Sequence, residues 1–555
     1  MKKRRKKDQT TNPEFRERAC DFLERNHTIL LILVFAIYVI TSFFTFNVRI
    51  SEGGDDSTYI IRALDLLEEG KFPKYQGPFY PIILAGVIAL SGTSIILLKI
   101  TSWVFLTLAL LLFFRTFHKR VSNIVLWGTL LILIVNHHFL YFGSQTYSEA
   151  FFMLLQGIFF LYVFHTIDIT NGGRVKHIHS LILALLLFGM IVTRTVAIAA
   201  LPSVIIFLIL KRQYRSALTT ALFLILFAAM FTGVKSWLSE GAVLESEQMS
   251  TLMWENPYDE SEGKESFGGF LERFAGNSNI YLSKYFPILT GFKPAMSLSK
   301  QPVVTILLYI FFLAGFIRFL KKRNDPLLFT GLYLAFMLGV TFFSLQTLWD
   351  QVRLIIPFFP FMVLFLGETI ASFVSGSRHA WKQKALIGVM LISTLLVSAQ
   401  TIKQNDFTAI FKNLSGDRYY GYTPDWQNYL QMAEYAGDEL PDDSYVACRK
   451  PNMARLYADG KEFYGIYRFE SNDPDSLLTR LYERDITHIM VASLRKNPRE
   501  NTGQVINTIH RYMSIIADAY PEIFSPVKKF GEDEPALLYR INYDKWPERP
   551  EAENQ

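Results

Sequence analysis

Eleven apolar runs, separated by short polar connectors, occupy residues 28–399: Thr28–Phe46, Ser94–Phe117, Val121–Phe142, Ala150–Ile167, Ser180–Thr193, Val196–Leu210, Ala217–Gly233, Val303–Leu320, Leu327–Leu345, Leu354–Val374 and Ala385–Ala399. A helix needs roughly 20 mainly apolar residues to cross a bilayer. Inside hydrocarbon each backbone group must be satisfied within its own segment, so the predicted elements are helices. Ser180–Thr193 and Val196–Leu210 are short and read either as two spans or as one long, broken helix.

Two polar segments on one side are longer than connectors need to be, 47–93 and 234–302. The first holds an amphipathic stretch, Tyr59–Gly70, and an apolar one, Phe79–Leu90, bounded by Pro78, Pro81 and Gly92. Both are expected to lie at the membrane interface. The alternative, Phe79–Leu90 as a twelfth span, would turn the basic connector His118–Arg120 to the other side.

Beyond Ala399 the pattern becomes that of a soluble domain. Helical stretches at Trp426–Leu440, Pro451–Ala458, Pro474–Arg484 and Gln504–Tyr520 alternate with strand-like runs at Tyr445–Cys448, Phe463–Phe469, His488–Ala492 and Ala536–Ile541. That alternation predicts a small α/β domain with its first three strands parallel. It contains no Gly-rich phosphate loop, metal-spaced Cys/His set or nucleophile elbow, and is expected to handle the acceptor or support the fold. The organisation is a basic N-terminus at 1–27, an all-α polytopic membrane domain at 28–402 and an α/β extracytoplasmic domain at 403–555.

Composition agrees: 50% of the 555 residues are hydrophobic and 15% aromatic. The net charge of +6 does not signify nucleic-acid binding, because of where it sits. It concentrates in Met1–Lys7 and in the connectors His118–Arg120, Arg174–His177, Lys211–Arg215, Lys321–Arg323 and Arg378–Lys384, whereas Ser51–Thr93, Gly143–Glu149, Lys235–Pro302 and Gln346–Arg353 are acidic or mixed. Basic connectors stay in the cytoplasm. The N-terminus is therefore expected inside a bacterial inner membrane and the C-terminal domain in the periplasm or outside the cell. Cys20 and Cys448 then fall on opposite sides and form no disulfide. The first run lacks a small-residue cleavage site before Arg49 and reads as a retained span. No pair of matching halves marks a secondary transporter.

The outer side gathers the candidate chemistry. Asp55 and Asp56 follow the first span directly; adjacent carboxylates repel, so one holds a proton or the pair recruits a cation, which suits general-base or metal-assisted work. The structural alternative is a helix cap at Asp56 or Ser57. Glu149 opens the fourth span, either as a functional acid or as a first-turn acid on the helix dipole. Lys99, Arg194 and Arg353 sit near outer span ends, with Lys74 in the first outer loop. Such charges often only snorkel, yet outward Arg runs against the charge bias, and guanidinium matches phosphate. His137 and His138 read as interfacial or core residues.

In this order the features resemble the GT-C glycosyltransferases, in the branch of protein O-mannosyltransferases and lipid A aminoarabinose transferases. Asp55-Asp56-Ser57-Thr58-Tyr59 fits the family's D-[DE]-x-x-[YF] element, with Asp in place of the commoner Glu. Lys74-Tyr75-Gln76-Gly77-Pro78-Phe79-Tyr80-Pro81 looks like its Pro- and Tyr-containing stretch. Glu149 stands at its second-loop acid, Thr193-Arg194 at its outer helix end, and Arg353 with Pro357 and Pro360 at its late Arg. The resemblance implies inverting transfer of a sugar from a polyprenyl-phosphate-linked lipid to a glycan, lipid or protein acceptor on the outer face. It gives Asp55, Asp56 and Glu149 to catalysis or to a divalent metal ion, and Arg194, Arg353, Lys99 and Lys74 to the donor phosphate, while Tyr59 and Tyr80 position substrate. The alternative from another class is a flippase or transporter of a lipid-linked glycan.

Overall fold

The computed structural model describes residues 21–73, 77–170, 176–238, 252–257, 259–374, 380–469, 471–497 and 501–549. Its chain divides into two compact units, Met1–Asn47 with Arg62–Ile410, and Val48–Ile61 with Phe411–Gln555.

The first unit is helical. Among the described residues eight helices are long and apolar enough to cross a membrane: His27–Thr45, Ile95–Phe117, Ser148–Asp168, Tyr214–Trp237, Pro302–Lys322, Asp325–Ser344, Ile356–Val374 and Lys384–Gln404. Each coincides with one of the apolar runs. The chain is an integral membrane protein.

The other three runs are shorter helices, for local reasons. Val121–Phe142 ends its first helix, Asn123–Ile134, near Asn136. The Asn136 side chain accepts from Phe139 N at 3.2 Å, which starts the short helix His137–Tyr141, and donates to the Leu289 carbonyl at 2.7 Å. A side chain that caps a new helix competes with continuation of the old one. His177–Thr193 stops where Arg194 adopts extended backbone (φ −143°), and the chain resumes as a 3-10 turn, Thr195–Ala199, and the helix Ala200–Leu210. Phe79–Ser91 is a helix of 13 residues, short of the length a span needs. Within the run Leu354–Val374 the regular helix begins only at Phe359, after two 3-10 turns that contain Arg353 and Pro357. Pro cannot donate to a preceding turn, so the helix starts late. The chain between the helices Tyr214–Leu238 and Pro302–Lys322 carries a hairpin, β1 (Trp254–Asn256) with β2 (Asp259–Lys264), and the helix Phe267–Ser278.

The second unit is built on a five-stranded sheet of β3 (Val446–Cys448), β4 (Phe463–Gly465), β5 (His488–Ala492), β6 (Phe524–Phe530) and β7 (Ala536–Ile541), in the order β4-β3-β5-β7-β6. β3 pairs parallel with β4 and β5; β7 runs antiparallel to β5 and β6. Ala447, Leu478, Ile489 and Ile516 form part of its apolar core. The helix Pro474–Tyr482 is fixed by Asp473, whose carboxylate accepts from Ser476 N at 2.8 Å. Strand β6 had no counterpart in the expected elements. It is an edge strand whose Pro526, Lys528 and Lys529 interrupt any apolar alternation, which is how edges are kept from pairing further.

Candidate functional site

In the helical unit four of the expected residues, Lys99, Glu149, Arg194 and Arg353, meet at Ser144–Glu149, which follows the helix His137–Tyr141 and includes the first turn of Ser148–Thr170. Every residue of this polar segment is buried. Buried polar groups need partners, and three of the expected cations reach it. Lys99, wholly buried, donates from Nζ to the Ser144 carbonyl at 3.0 Å and to Gln145 Oε1 at 2.9 Å. Arg353 lays its guanidinium against Tyr147, 5.4 Å from the ring centre. Arg194 Nη1 lies 2.7 Å from Glu149 Oε1 and 3.2 Å from Ser148 Oγ. A guanidinium has five N–H donors in a rigid fork, so Arg194 can hold Glu149 and meet an anion at the same time. Gln145 Nε2 and Thr146 Oγ1 are buried and have no protein partner among the described residues. Unmatched buried donors call for an explanation, commonly a water or ion.

Neighbouring elements fix this arrangement. Arg194 projects from the extended break between two helices. The backbone before it is so close to Gly77 that a Cβ on Gly77 would lie 2.1 Å from the Thr193 carbonyl oxygen, and only glycine permits that approach. Tyr80 is wholly buried, stacks on Phe151 at 5.9 Å and has its hydroxyl 3.3 Å from Ser102 Oγ. Lys74 lies outside the described residues. Sequence reasoning missed Lys284, a buried cation in the π-turn Asn279–Tyr285, 2.8 Å from Asp350. Tyr285 donates to the Asp350 carbonyl, and Asp350 itself has a left-handed φ of 30°. The signal was Asp350 itself, an acid three residues before Arg353, but its partner is far away in the chain.

The acidic element belongs to the C-terminal unit. Asp56 is wholly buried and its carboxylate accepts from Ser51 N at 2.7 Å, Ser51 Oγ at 3.1 Å and Ser57 N at 2.9 Å. It ties the turn into the helix Asp55–Glu68. Asp55, the first residue of that helix, is partly exposed, and Tyr59 is buried. The surrounding loop is held by residues of the soluble domain. Tyr422 donates to the Ile50 carbonyl at 2.6 Å, Asn452 to Thr58 Oγ1 at 3.0 Å, and Lys450 Nζ to the Gly53 carbonyl at 3.3 Å. Arg49 sits over the Tyr422 ring at 5.1 Å and donates to the Gly421 carbonyl. These partners were not expected from the sequence. A cue was present in Arg449-Lys450-Pro451, where a parallel strand ends and a Pro-started helix begins, the place where α/β sheets commonly build sites.

Among the described residues no three His, Cys, Asp or Glu side chains are grouped to hold a metal ion. Of the expected metal candidates, Asp56 already accepts from three donors and Glu149 is paired with Arg194, while Asp55 is partly exposed.

No family model matches the sequence, and no curated protein matches it. Solved structures do. ArnT from Cupriavidus metallidurans, in the apo state, superposes with a TM-score of 0.53 at 11% identity, over 94% of this chain and 99% of that one. The same protein bound to undecaprenyl phosphate gives 0.53 at 9% identity, over 92% and 98%. The chain has a GT-C fold. ArnT is a lipid A aminoarabinose transferase of the GT-C superfamily; identity this low carries the likeness of fold to this chain and nothing finer.

Proposed function

We propose that this chain is an integral-membrane glycosyltransferase that moves a sugar from a polyprenyl-phosphate-linked donor to an acceptor hydroxyl on the outer face of a bacterial inner membrane. The observation that carries the proposal is the buried segment Ser144–Glu149, met by Lys99, Arg194 and Arg353 and offering the unmatched donors Gln145 Nε2 and Thr146 Oγ1. Cations and buried donors together suit a phosphate. The similar protein ArnT has been solved with undecaprenyl phosphate bound, which agrees with a lipid phosphate as the ligand. An apolar cavity of about 310 Å³ in the helical unit, lined by Phe274, Tyr309, Phe316, Leu338, Phe342 and Phe365, offers space of the right polarity for part of an isoprenoid tail.

In this reading transfer is a single displacement with inversion. The acceptor oxygen attacks the anomeric carbon, its proton passes to the Asp55 carboxylate, and the bond from that carbon to the phosphate oxygen breaks. The electron pair departs with the lipid phosphate, where Arg194 and Arg353 stabilise the growing charge. Asp56, saturated by backbone and serine donors, orients the turn that carries Asp55; Glu149 orients Arg194; Lys99 holds the segment beneath it. Tyr59 and Tyr80 are assigned to positioning of the substrate, and Lys74 to an additional contact with the donor phosphate. The acceptor is a glycan, lipid or protein. In this reading the N-terminus is cytoplasmic and the C-terminal domain periplasmic or extracellular, in keeping with the basic connectors.

The test is Asp55→Asn in purified protein in nanodiscs, given labelled polyprenyl-phosphate sugar and a crude acceptor fraction. General-base assistance is worth roughly 10²–10⁴-fold, so transfer should fall that far while lipid binding persists. Undiminished transfer by this variant would remove Asp55 from the chemistry. Wild-type protein that carries labelled lipid between leaflets and never transfers sugar would replace the proposal with lipid transport.

A further inference from the structure

The loop that carries Asp55 already has a cation of its own. Lys450 follows strand β3, and its main chain is pinned there by the wholly buried Tyr429, whose hydroxyl lies 3.1 Å from Lys450 N and 2.9 Å from Lys450 O. From this fixed base the side chain reaches the acidic loop, with Nζ 3.3 Å from the Gly53 carbonyl. Gly54 has a φ of +83°, and a Cβ there would lie 3.6 Å from that ammonium, so loop backbone and cation are closely apposed. Two residues on, Asn452 donates to Thr58 at 3.0 Å, and the two contacts bracket Asp55. The ammonium also interacts electrostatically with Asp55: burial lowers the Lys450 pKa and the nearby Arg449 lowers it further, while Asp55 opposes both.

A divalent cation at such a loop would offset carboxylate charge and hold loop carbonyls in place. Among the described residues no three His, Cys, Asp or Glu side chains group to hold a metal ion, and Lys450 supplies both effects. We propose that Lys450 is a positioning residue for the transferase site, the built-in cation that fixes the Gly53–Asp55 backbone and balances Asp55, in place of a divalent metal. This rests on the reading of Asp55 as the base. It also gives the soluble domain a part in the chemistry, because Lys450 lies more than 390 residues beyond the loop it serves.

The experiment uses full-length protein in nanodiscs with two independent readouts. Lys450→Gln keeps most of the side-chain length and removes the charge; Lys450→Arg restores charge. In hydrogen exchange, Lys450→Gln should raise the exchange of amides 51–58 and leave strand β5 protected. In transfer assays its kcat should fall about tenfold to a hundredfold, the loss expected for one charge-assisted hydrogen bond, with the donor KM nearly unchanged and partial recovery in Lys450→Arg. Wild-type transfer should be indifferent to EDTA. Unchanged exchange over 51–58 overturns the contact, whatever catalysis does. Raised exchange with wild-type kcat overturns the positioning role, and so does EDTA-sensitive transfer restored by added magnesium or manganese. A wild type with no sugar transfer defeats the proposed function instead, and the exchange readout still decides whether Lys450 fixes the loop.

Discussion

Arg194 is proposed to do two jobs, as counter-ion of Glu149 and as donor to a lipid phosphate, and a pair of substitutions separates them. Glu149 is 2% exposed and lies 2.7 Å from the guanidinium. Removing one partner of a buried ion pair costs roughly 3–5 kcal/mol, mostly because the other charge is left behind. Against a typical net stability of about 5–15 kcal/mol, Arg194→Gln alone should sharply reduce the yield of folded protein. Glu149→Gln with Arg194→Gln removes both charges, and two amides can hydrogen-bond to each other, so most of the yield should return. What does not return is the guanidinium facing the donor. A hydrogen bond to a charged group contributes roughly 1.5–3 kcal/mol, so kcat/KM for the labelled donor should remain about 10–100-fold low in the double variant. Yield is read by size-exclusion chromatography of fluorescently tagged protein, and kinetics in nanodiscs at matched protein concentration. A double variant with wild-type donor kinetics refutes the second job and leaves Arg194 as a structural counter-ion.

Arg353→Gln should lower donor use more than protein yield, and Arg353→Lys should recover only part of it, because a point charge does not reproduce a bidentate fork; unchanged donor kinetics would leave Arg353 a packing partner of Tyr147. For topology, an impermeant maleimide on intact cells should label Asp533→Cys, at an exposed turn, and should spare Cys448 until the domain is unfolded. Cys448 is wholly buried, and burial pushes its thiol up to about 12, so little reactive thiolate is present; labelling of Asp533→Cys only after permeabilisation would reverse the proposed orientation. In the soluble domain Arg495 grips Glu534 through two 2.8 Å hydrogen bonds and holds its carboxyl below the ordinary value. A depressed carboxylate adds stability above its unfolded pKa, about 4.3, and that stability is lost as pH falls through the lower folded value. Protection of strand β5, corrected for intrinsic exchange, should therefore decline below about pH 4.3, with a shallower decline in Glu534→Gln; equal slopes would show that the pair does not contribute.

The membrane helices were legible because length and apolarity are local properties. Breaks within the runs were less so, although Asn136, Pro357 and Pro360 stood in plain view as residues that end or delay helices. The parallel strands β3, β4 and β5 could be read from alternation, whereas the edge strand β6 could not, with Pro526, Lys528 and Lys529 in it. The candidate site divides along the same line. Lys99, Arg194, Glu149 and Arg353 were identifiable one by one from charge near span ends. Their convergence on Ser144–Glu149 depends on packing among separate helices, which no local pattern encodes. In sequence Asp56 read either as a functional acid like its neighbour Asp55 or as a helix cap. Burial and the three donors around Asp56 distinguish them. Lys284 and Lys450 were invisible for a related reason, since each is defined by a partner from a distant part of the chain.

The cations and the buried, unmatched donors at Ser144–Glu149 argue that this segment is more than a well-packed turn. A fold that needed only to bury it would supply neutral partners, since taking a charge out of water is expensive unless it is paired. Instead three cations, Lys99, Arg194 and Arg353, reach the segment, which contributes one carboxylate, Glu149, already bound to Arg194. Snorkelling does not account for this: Lys99 is wholly buried, with its ammonium bound to the segment. Buried amide and hydroxyl donors with no partner among the described residues are costly when empty and favourable once an anion arrives. In the proposed reaction the departing sugar leaves the lipid with a single-ester phosphate, which carries about −1.5 to −2 at neutral pH. Before transfer the same phosphorus carries two esters and less charge. In the proposed reaction a site of buried donors and cations therefore gains more from the departing group than from the intact donor, and a difference in that direction is what lowers a barrier.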